Sequence, residues 1–410
     1  MTLFDHTRIA DPTTTYARLR EAAAVHRTST PDGQPLWVIT RYAEARAALA
    51  DPRLSLNKAN ARTSGEYQSS MPPELDAHLL NMDPPDHTRL RSLVAKAFTP
   101  RRIATLRNRI QAITDDLLDT MAGPPTDLMA ALAVPLPMGV ICELLGIPEK
   151  DRHDFRTWTN TLLSPSPGSA RDSRTAMRQM HQFLTGVIQD KRSHPADDLL
   201  SALTQARDER ETLSEQELLS LAFLTLFAGY DNAVHLIGNT ALALLLHPHL
   251  MDDVRHHTVP IRAVIEEALR WNPPFPLGVR RFALEDLTIG DVVVPAGGRV
   301  WISIASANRD QRAFPSPDTF DPGRAPAHLA FGHGIHYCLG APLARLEAEF
   351  ALQSLLQRFP TLELAVPADE LTWWPSFHKR GLRALPIQTH TQSLECGNAA
   401  QPLADRAPIC

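Results

Sequence analysis

A chain of 410 residues with 43% hydrophobic composition can bury a large core; chains near this size remove about 75% of their unfolded surface from water. Charged residues make up 21% and the formal net charge is −5, a balance with no electrostatic footprint for nucleic acid. No apolar run is long enough for a spanning helix, and the opening MTLFDHTRIADPTTTYARLR has no signal-peptide apolar core, so a cytoplasmic protein with no membrane contact is expected.

In chain order, PLWVITR from Pro35 has the β-rich core of a strand. DHTRLRSLVAKAF reads as a helix opening at Asp86, just after the breakers Pro84 and Pro85. Pro100 suits the first helical position of PRRIATLRNRIQAITDDLLDTM. PMGVICELLGI, EKDRHDFRTWTNTLL, SRTAMRQMHQFLTGVIQDKR and DDLLSALTQAR read as further helices, with a loop over Ser164–Arg174. The longest helix opens on the capping box Ser214-Glu-Gln-Glu217 and stops at Pro248. At 1.5 Å per residue it spans about 50 Å. AVIEEALRW is helical, and LTIGDVVVPAGGRVWISIASANR carries strands. APLARLEAEFALQSLLQRF is the last helix, and GLRALPIQ a late strand. The pattern is mainly α with a minor β region, not alternating βαβ. A length prior allows two or three domains, but no linker separates them, so residues 1–388 are expected to form one domain. Residues 389–410 lose hydrophobic period and are expected to be disordered. The four cysteines, Cys142, Cys338, Cys396 and Cys410, do not make a disulfide framework.

Four constellations carry chemistry. The first is FGHGIHYCLG, residues 331 to 340, which crowds His333, His336 and Cys338 onto a loop with Gly332, Gly334 and Gly340. Cys338 stands just before a helix, where the N-terminal amides and the dipole favour a thiolate. The glycines let backbone approach a flat ligand. Three readings stand: a haem held by Cys338 alone, a zinc site, and a buried inert cysteine. Zinc wants four ligands in closed geometry, and this loop offers three at most.

The second is AVIEEALRWNPP, where Glu267 and Arg270 lie three apart on a helix and can pair. The third is PPDHTRLR, where His87 and Arg91 share a face and could donate to cofactor carboxylates. The fourth is FLTLFAGYDNAVHLIGN. Asp231, Asn232, His235 and Asn239 interrupt an apolar helix, and Gly229 sits in its middle. Ala228, Asn232, His235 and Asn239 fall on one face. That segment is either a hydrogen-bonded core network or a helix locally opened at a reaction centre, with Asp231 moving protons.

In this order the pieces resemble the cytochrome P450 family. FGHGIHYCLG matches its haem-thiolate loop at every fixed position, Phe331, Gly332, Gly334, His336, Cys338 and Gly340. Glu267-Ala-Leu-Arg270 is similar to its Glu-x-x-Arg pair, and Arg324 of FDPGR to the arginine completing a structural triad. HTRLR is similar to its propionate-binding helix, and Arg281 of VRRFALED to a further propionate arginine. LFAGYDN, with Ala228 and Gly229, resembles the oxygen-binding segment of the long central helix. The resemblance runs over residues 10–388 and is strongest to soluble bacterial members of natural-product pathways.

It implies haem b, with Cys338 as the thiolate iron ligand and His87, Arg91, Arg281 and His336 around the propionates; His333 falls on a variable position. It implies a monooxygenase that activates O2 with NAD(P)H-derived electrons and two protons. Asp231 is the expected proton carrier. After the acid the family usually has threonine or serine, whereas this chain has Asn232, which has no hydroxyl proton to pass on. Asn232 would orient dioxygen or a water, a substrate hydroxyl would complete the relay, or the reaction is an atypical oxidation such as ring closure or oxidative coupling. A peroxide-driven reaction and a non-catalytic haem sensor are the remaining alternatives. With no reductase segment, electrons would come from a separate ferredoxin and ferredoxin reductase, docking near Lys96, Arg101, Arg102 and Arg345; a monomer is expected. The substrate is expected to be a lipophilic small molecule, contacted by Leu224, Ala228, Asn232, Leu277 and Phe377, by 57–82 and by the Ser164–Arg174 loop.

Overall fold

The computed structural model describes residues 12–30, 33–61, 73–95, 98, 100–121, 125–163, 170–210, 213–324 and 327–390. Its helices are α1 (Thr13–Ala22), α2 (Tyr42–Ala50), α3 (Pro73–Asp76), α4 (Asp86–Ala95), α5 (Pro100–Asp119), α6 (Pro135–Leu145) and α7 (Arg152–Leu163). They continue with α8 (Ala170–Ser193), α9 (Leu199–Arg210), α10 (Glu215–Leu246), α11 (Pro248–Arg255), α12 (Ile261–Trp271), α13 (Ile304–Ala307) and α14 (Ala341–Arg358). The strands are β1 (Val25–Ser29), β2 (Pro35–Ile39), β3 (Leu54–Ser55), β4 (Thr126–Asp127), β5 (Arg281–Ala283), β6 (Leu287–Ile289), β7 (Val292–Val294), β8 (Arg299–Ile302), β9 (Thr361–Leu364) and β10 (Pro386–His390).

The long helix is α10, and the cap predicted from sequence forms in full. Ser214 Oγ accepts from Glu217 N at 3.1 Å, and Glu217 Oε2 accepts from Ser214 N at 2.7 Å. Pro248 then opens α11. By length and composition α10 could cross a membrane, yet most of its apolar stretch is buried inside the fold, where it is the core helix. Helices α3, α6, α12 and α14 and a π-helical turn at Met129–Ala133 pack against it. That turn was not predicted. Gly238 admits it: a Cβ there would fall 2.5 Å from Met129 Sδ.

A second core lies under a five-stranded sheet ordered β1-β2-β8-β5-β3. Here β2 runs parallel to β8, with Val38 opposite Trp301, and the other pairs are antiparallel. β4-β10-β9 form a three-stranded sheet.

Two boundaries differ from the sequence reading. β10 continues past residue 388, pairing Thr389 with Leu362 and His390 with Thr361, because the C-terminal segment closes the small sheet. Residues 391–410 lie outside the described residues. Of the expected Ser164–Arg174 loop, Ala170–Arg174 already belong to α8, and 164–169 lie outside the described residues. Within 57–82 the chain makes short turns at Lys58–Asn60 and Leu79–Asn81, while 62–72 lie outside.

Candidate active site

Cys338 is fixed from both sides. Its N–H donates to Phe331 O at 2.9 Å, closing the loop, and Arg91 Nη2 donates to Tyr337 O at 2.6 Å. Gly332 and Gly334 take φ of +75° and +74°, which L side chains rarely adopt. A Cβ on Gly334 would meet backbone, Ala50 Cα at 3.0 Å and Leu49 O at 3.1 Å, so the loop lies directly on the end of α2. Cys338 shows accessible surface although protein crowds it on most sides. Burial pushes its thiol up, against the lowering pull of the Gly340 and Ala341 amides at the head of α14 and of Arg91 and Arg345. The sequence placed those amides correctly.

Beside the loop stands a cluster of donors without an anion. The His87 and His336 rings lie 4.1 Å apart. Burial first, and then His87, Arg281 and Arg91, hold His336 down at about 3. Burial and Arg91 hold His87 below the usual imidazole range. Burial brings Arg281 down to about 10. Arg281 donates Nη1 to Leu54 O at 3.2 Å and Nη2 to Leu49 O at 3.1 Å, which leaves its buried Nε without a partner. The buried His87 Nε2 also lacks one. Asp83 and Asp51 are the nearby acids, but Asp83 accepts from Ser55 Oγ and from Leu56 N, and Asp51 pairs with Arg53 at 2.8 Å. Among the described residues none of His87, Arg91, Arg281 and His336 forms an ion pair with a carboxylate. Orphaned buried donors of this kind call for an anionic ligand. Two propionates on a porphyrin answer that need, and the residues present fit a haem. The zinc reading loses its basis: no cluster of three or more His, Cys, Asp or Glu side chains with metal-ligating geometry occurs among the described residues.

The central helix is buried along most of its length but open at Phe227, Ala228, Gly229 and Asn232, with Leu224 half-buried on the same stretch. The local opening of the helix considered from sequence is absent: α10 runs unbroken through Gly229, where a Cβ would meet Ile141 Cδ1 at 2.9 Å. Asn232 Nδ2 reaches back to Ala228 O at 3.5 Å. Asp231 has two close neighbours, the ammonium of Lys379 with Nζ at 3.1 Å and the imidazole of His235 with Nε2 at 3.5 Å. Burial pushes the Asp231 carboxyl up, but His235 and Lys379 outweigh it and hold it below the usual carboxylate range. His235 and Asn239, grouped with Ala228 and Asn232 from the sequence, are instead buried. Asn239 Nδ2 donates to Asn272 O at 3.1 Å and to Arg380 O at 2.9 Å.

The predicted triad forms. Arg270 clamps Glu267 with Nε at 2.8 Å and Nη2 at 2.7 Å, and Arg324 Nε adds 3.2 Å to the same carboxylate. Two expected positions do not hold. Leu277 is 1% exposed, locked in a cluster with Leu36, Val38 and Trp301, so it presents no surface to a ligand; half-buried Phe377 packs against that cluster. Arg345 is not a free docking charge: Nε and Nη2 clamp Glu266, His328 Nε2 approaches the same carboxylate at 3.1 Å, and the guanidinium lies 4.5 Å over Phe331. Lys96 lies outside the described residues, and of Arg101 and Arg102 only the α5 backbone is described. Sequence reasoning missed Lys379 and Glu266. The one available signal for Lys379 was that a buried acid needs a cation from somewhere. A groove of about 570 Å³ along α5, α12 and α14, lined by Phe98, Ile103, Arg107, Ile265 and Leu346, contains none of the expected substrate residues.

A lone thiolate-capable cysteine at a helix head, next to donors that want two carboxylates, defines a haem-thiolate protein. The comparisons agree. The cytochrome P450 family model matches residues 141–377. Cytochrome P450 107B1 of Saccharopolyspora erythraea is 44% identical over 94% of this chain and 96% of its own. The solved tirandamycin C-bound P450 monooxygenase TamI is 42% identical, with a TM-score of 0.87 over 94% of this chain and 99% of that one. The solved Bacillus subtilis bacillaene polyketide synthase cytochrome P450 PksS is 38% identical, with a TM-score of 0.89 over 95% and 100%. The chain belongs to the cytochrome P450 family and is a monooxygenase that uses haem and O2.

Proposed function

We propose that this enzyme oxidises a lipophilic, polyketide-like small molecule as a tailoring step in natural-product biosynthesis, with electrons from a separate ferredoxin and its reductase. The observation that carries the reading is the open stretch of α10, where a carboxylate and an amide stand on a mostly apolar, mostly buried helix. The relatives named for polyketide and tirandamycin chemistry support the substrate class.

Cys338 Sγ would hold the iron, and His87, Arg91, Arg281 and His336 the propionates. The bound haem supplies dioxygen activation, which an anionic sulfur ligand favours by electron donation; cytochromes P450 are the standard instance of that effect. The chain's own residues supply orientation and protons. Asp231, ionised at rest, takes a proton from solvent and passes it toward the haem side. Asn232 has no hydroxyl, and its Nδ2 is turned to Ala228 O. Its Oδ1 therefore serves as an acceptor that orients a water or a substrate hydroxyl, and that group passes the proton on. Apolar Phe227 and Leu224 border the same stretch and offer a lipophilic substrate apolar contact.

The test is a titration of the haem absorption band with polyketide macrolactones and linear polyketide acids, followed by NADPH turnover with a surrogate ferredoxin and reductase. Saturable band shifts with oxygenated product are expected. Peroxide-supported activity exceeding the ferredoxin-supported rate would replace the proposed electron source.

A further inference from the structure

The turn between Trp373 and Leu382 grips one face of the central helix at three successive positions. Asp231, His235 and Asn239 are spaced four apart and so share that face. Lys379 Nζ meets Asp231 Oδ2 at 3.1 Å. Gly381 sits against His235 so closely that a Cβ would fall 1.9 Å from Nδ1. Arg380 O receives Asn239 Nδ2 at 2.9 Å. The turn is itself stiffened by cations on aromatic faces, Arg380 over Trp373 at 3.5 Å and Lys379 over Trp374 at 5.2 Å. A bridge between Trp373 and Leu382 closes it.

We propose that Lys379 is a positioning residue for Asp231: it holds the carboxylate toward the C-terminal turn at rest, and proton delivery requires Asp231 to let go of Lys379 and take up its proton. The inference rests on the reading of Asp231 as proton carrier. The groups facing Asp231 are His235 on its own helix, Lys379 from the turn, and the neighbouring Tyr230, whose hydroxyl reaches Asn160 on α7 at 3.2 Å and which Arg156 of α7 influences. Against its burial, His235 and Lys379 hold the Asp231 carboxyl below the usual carboxylate range. Protonation would remove the attraction to Lys379, so uptake of the proton and release from the turn are one event. Fixing Lys379 on Trp374 lets the carboxylate, not the ammonium, be the partner that swings.

The experiment compares Lys379→Met, Lys379→Arg and Asp231→Asn in the haem-loaded enzyme. The infrared carboxyl band of Asp231, identified by its loss in Asp231→Asn, is followed against pH without turnover. Solvent isotope effect and peroxide released per NADPH are measured during turnover. In Lys379→Met the band midpoint is expected to rise by about one to three pH units, as for a carboxylate losing an adjacent cation. The solvent isotope effect should change with it, while substrate affinity stays within about twofold. Lys379→Arg should restore both. An unmoved midpoint in Lys379→Met overturns the positioning role. If Asp231→Asn leaves isotope effect and peroxide release unchanged, the proton-carrier reading falls, while the band midpoint still decides whether Lys379 holds Asp231.

Discussion

Arg270 and Glu267 form a two-pronged ion pair in which both side chains have 0% exposure. All five guanidinium donors are satisfied: the remaining ones go to Asn308 O at 3.0 Å, Pro317 O at 2.8 Å and Thr319 O at 3.1 Å. The pair thereby ties α12 to the segment leading to the Cys338 loop. Glu267→Leu would strand a buried guanidinium and cost about 3–5 kcal/mol. The expected result is a lower urea midpoint and a large loss of haem-loaded protein. A variant within about 1 kcal/mol of the parent would deny the triad its structural role.

Gly334 cannot take a side chain without moving backbone. Its φ of +74° and its approach to Ala50 Cα at 3.0 Å both oppose a Cβ. Gly334→Ala should destabilise the fold by about 1–3 kcal/mol and weaken haem retention, since the loop must lift from α2. Gly186, with nothing within 4 Å, is the control for a glycine with room. Chemical denaturation of the two alanine variants should separate them clearly.

Glu347 on α14 is buried, and one of its carboxyl oxygens has no hydrogen-bond partner. Burial pushes it up to about 8 from the 4.5 usual for a glutamate. The folded state therefore binds a proton that the unfolded chain has released between those values. Its contribution to stability is fully present below pH 4.5 and is lost as pH rises to about 8. At pH 7 the loss is about 3 kcal/mol. Glu347→Gln should thus be more stable than the parent at pH 7 and show little gain near pH 4.5. Equal pH profiles for the two in urea titrations would refute this.

Asn232 is assigned an accepting role through Oδ1. Asn232→Leu keeps the approximate volume and removes both polar atoms. Product per NADPH should fall about tenfold, the worth of one hydrogen bond of ~1.4 kcal/mol, with peroxide rising correspondingly. Asn232→Thr should keep more coupling than the leucine variant. Unchanged product and peroxide in both would remove Asn232 from the relay.

What the sequence made legible was local. The Ser214 cap, the Pro100 and Pro248 boundaries, the Cys338 loop and the Glu267–Arg270 pair each depend on residues within a few positions of one another. The contacts that sequence reading missed join distant segments: Lys379 to Asp231, Glu266 to Arg345, Gly381 to His235. No periodicity encodes such meetings. Leu277 was misplaced for a related reason. An apolar residue before a glycine looks the same whether it faces a ligand or a packed cluster, and only the sheet holding Leu36, Val38 and Trp301 decides. The π-turn at Met129–Ala133 was missed because the room it needs is left by Gly238 on another helix.

The central claim is that Cys338 is the thiolate that binds the haem iron. The direct measurement is the absorption spectrum of the reduced carbon monoxide adduct of the purified enzyme and of Cys338→His. The parent is predicted to show the red-shifted band of a thiolate complex, and the histidine variant to lose it. A parent without that band, or a variant that keeps it, would contradict the account.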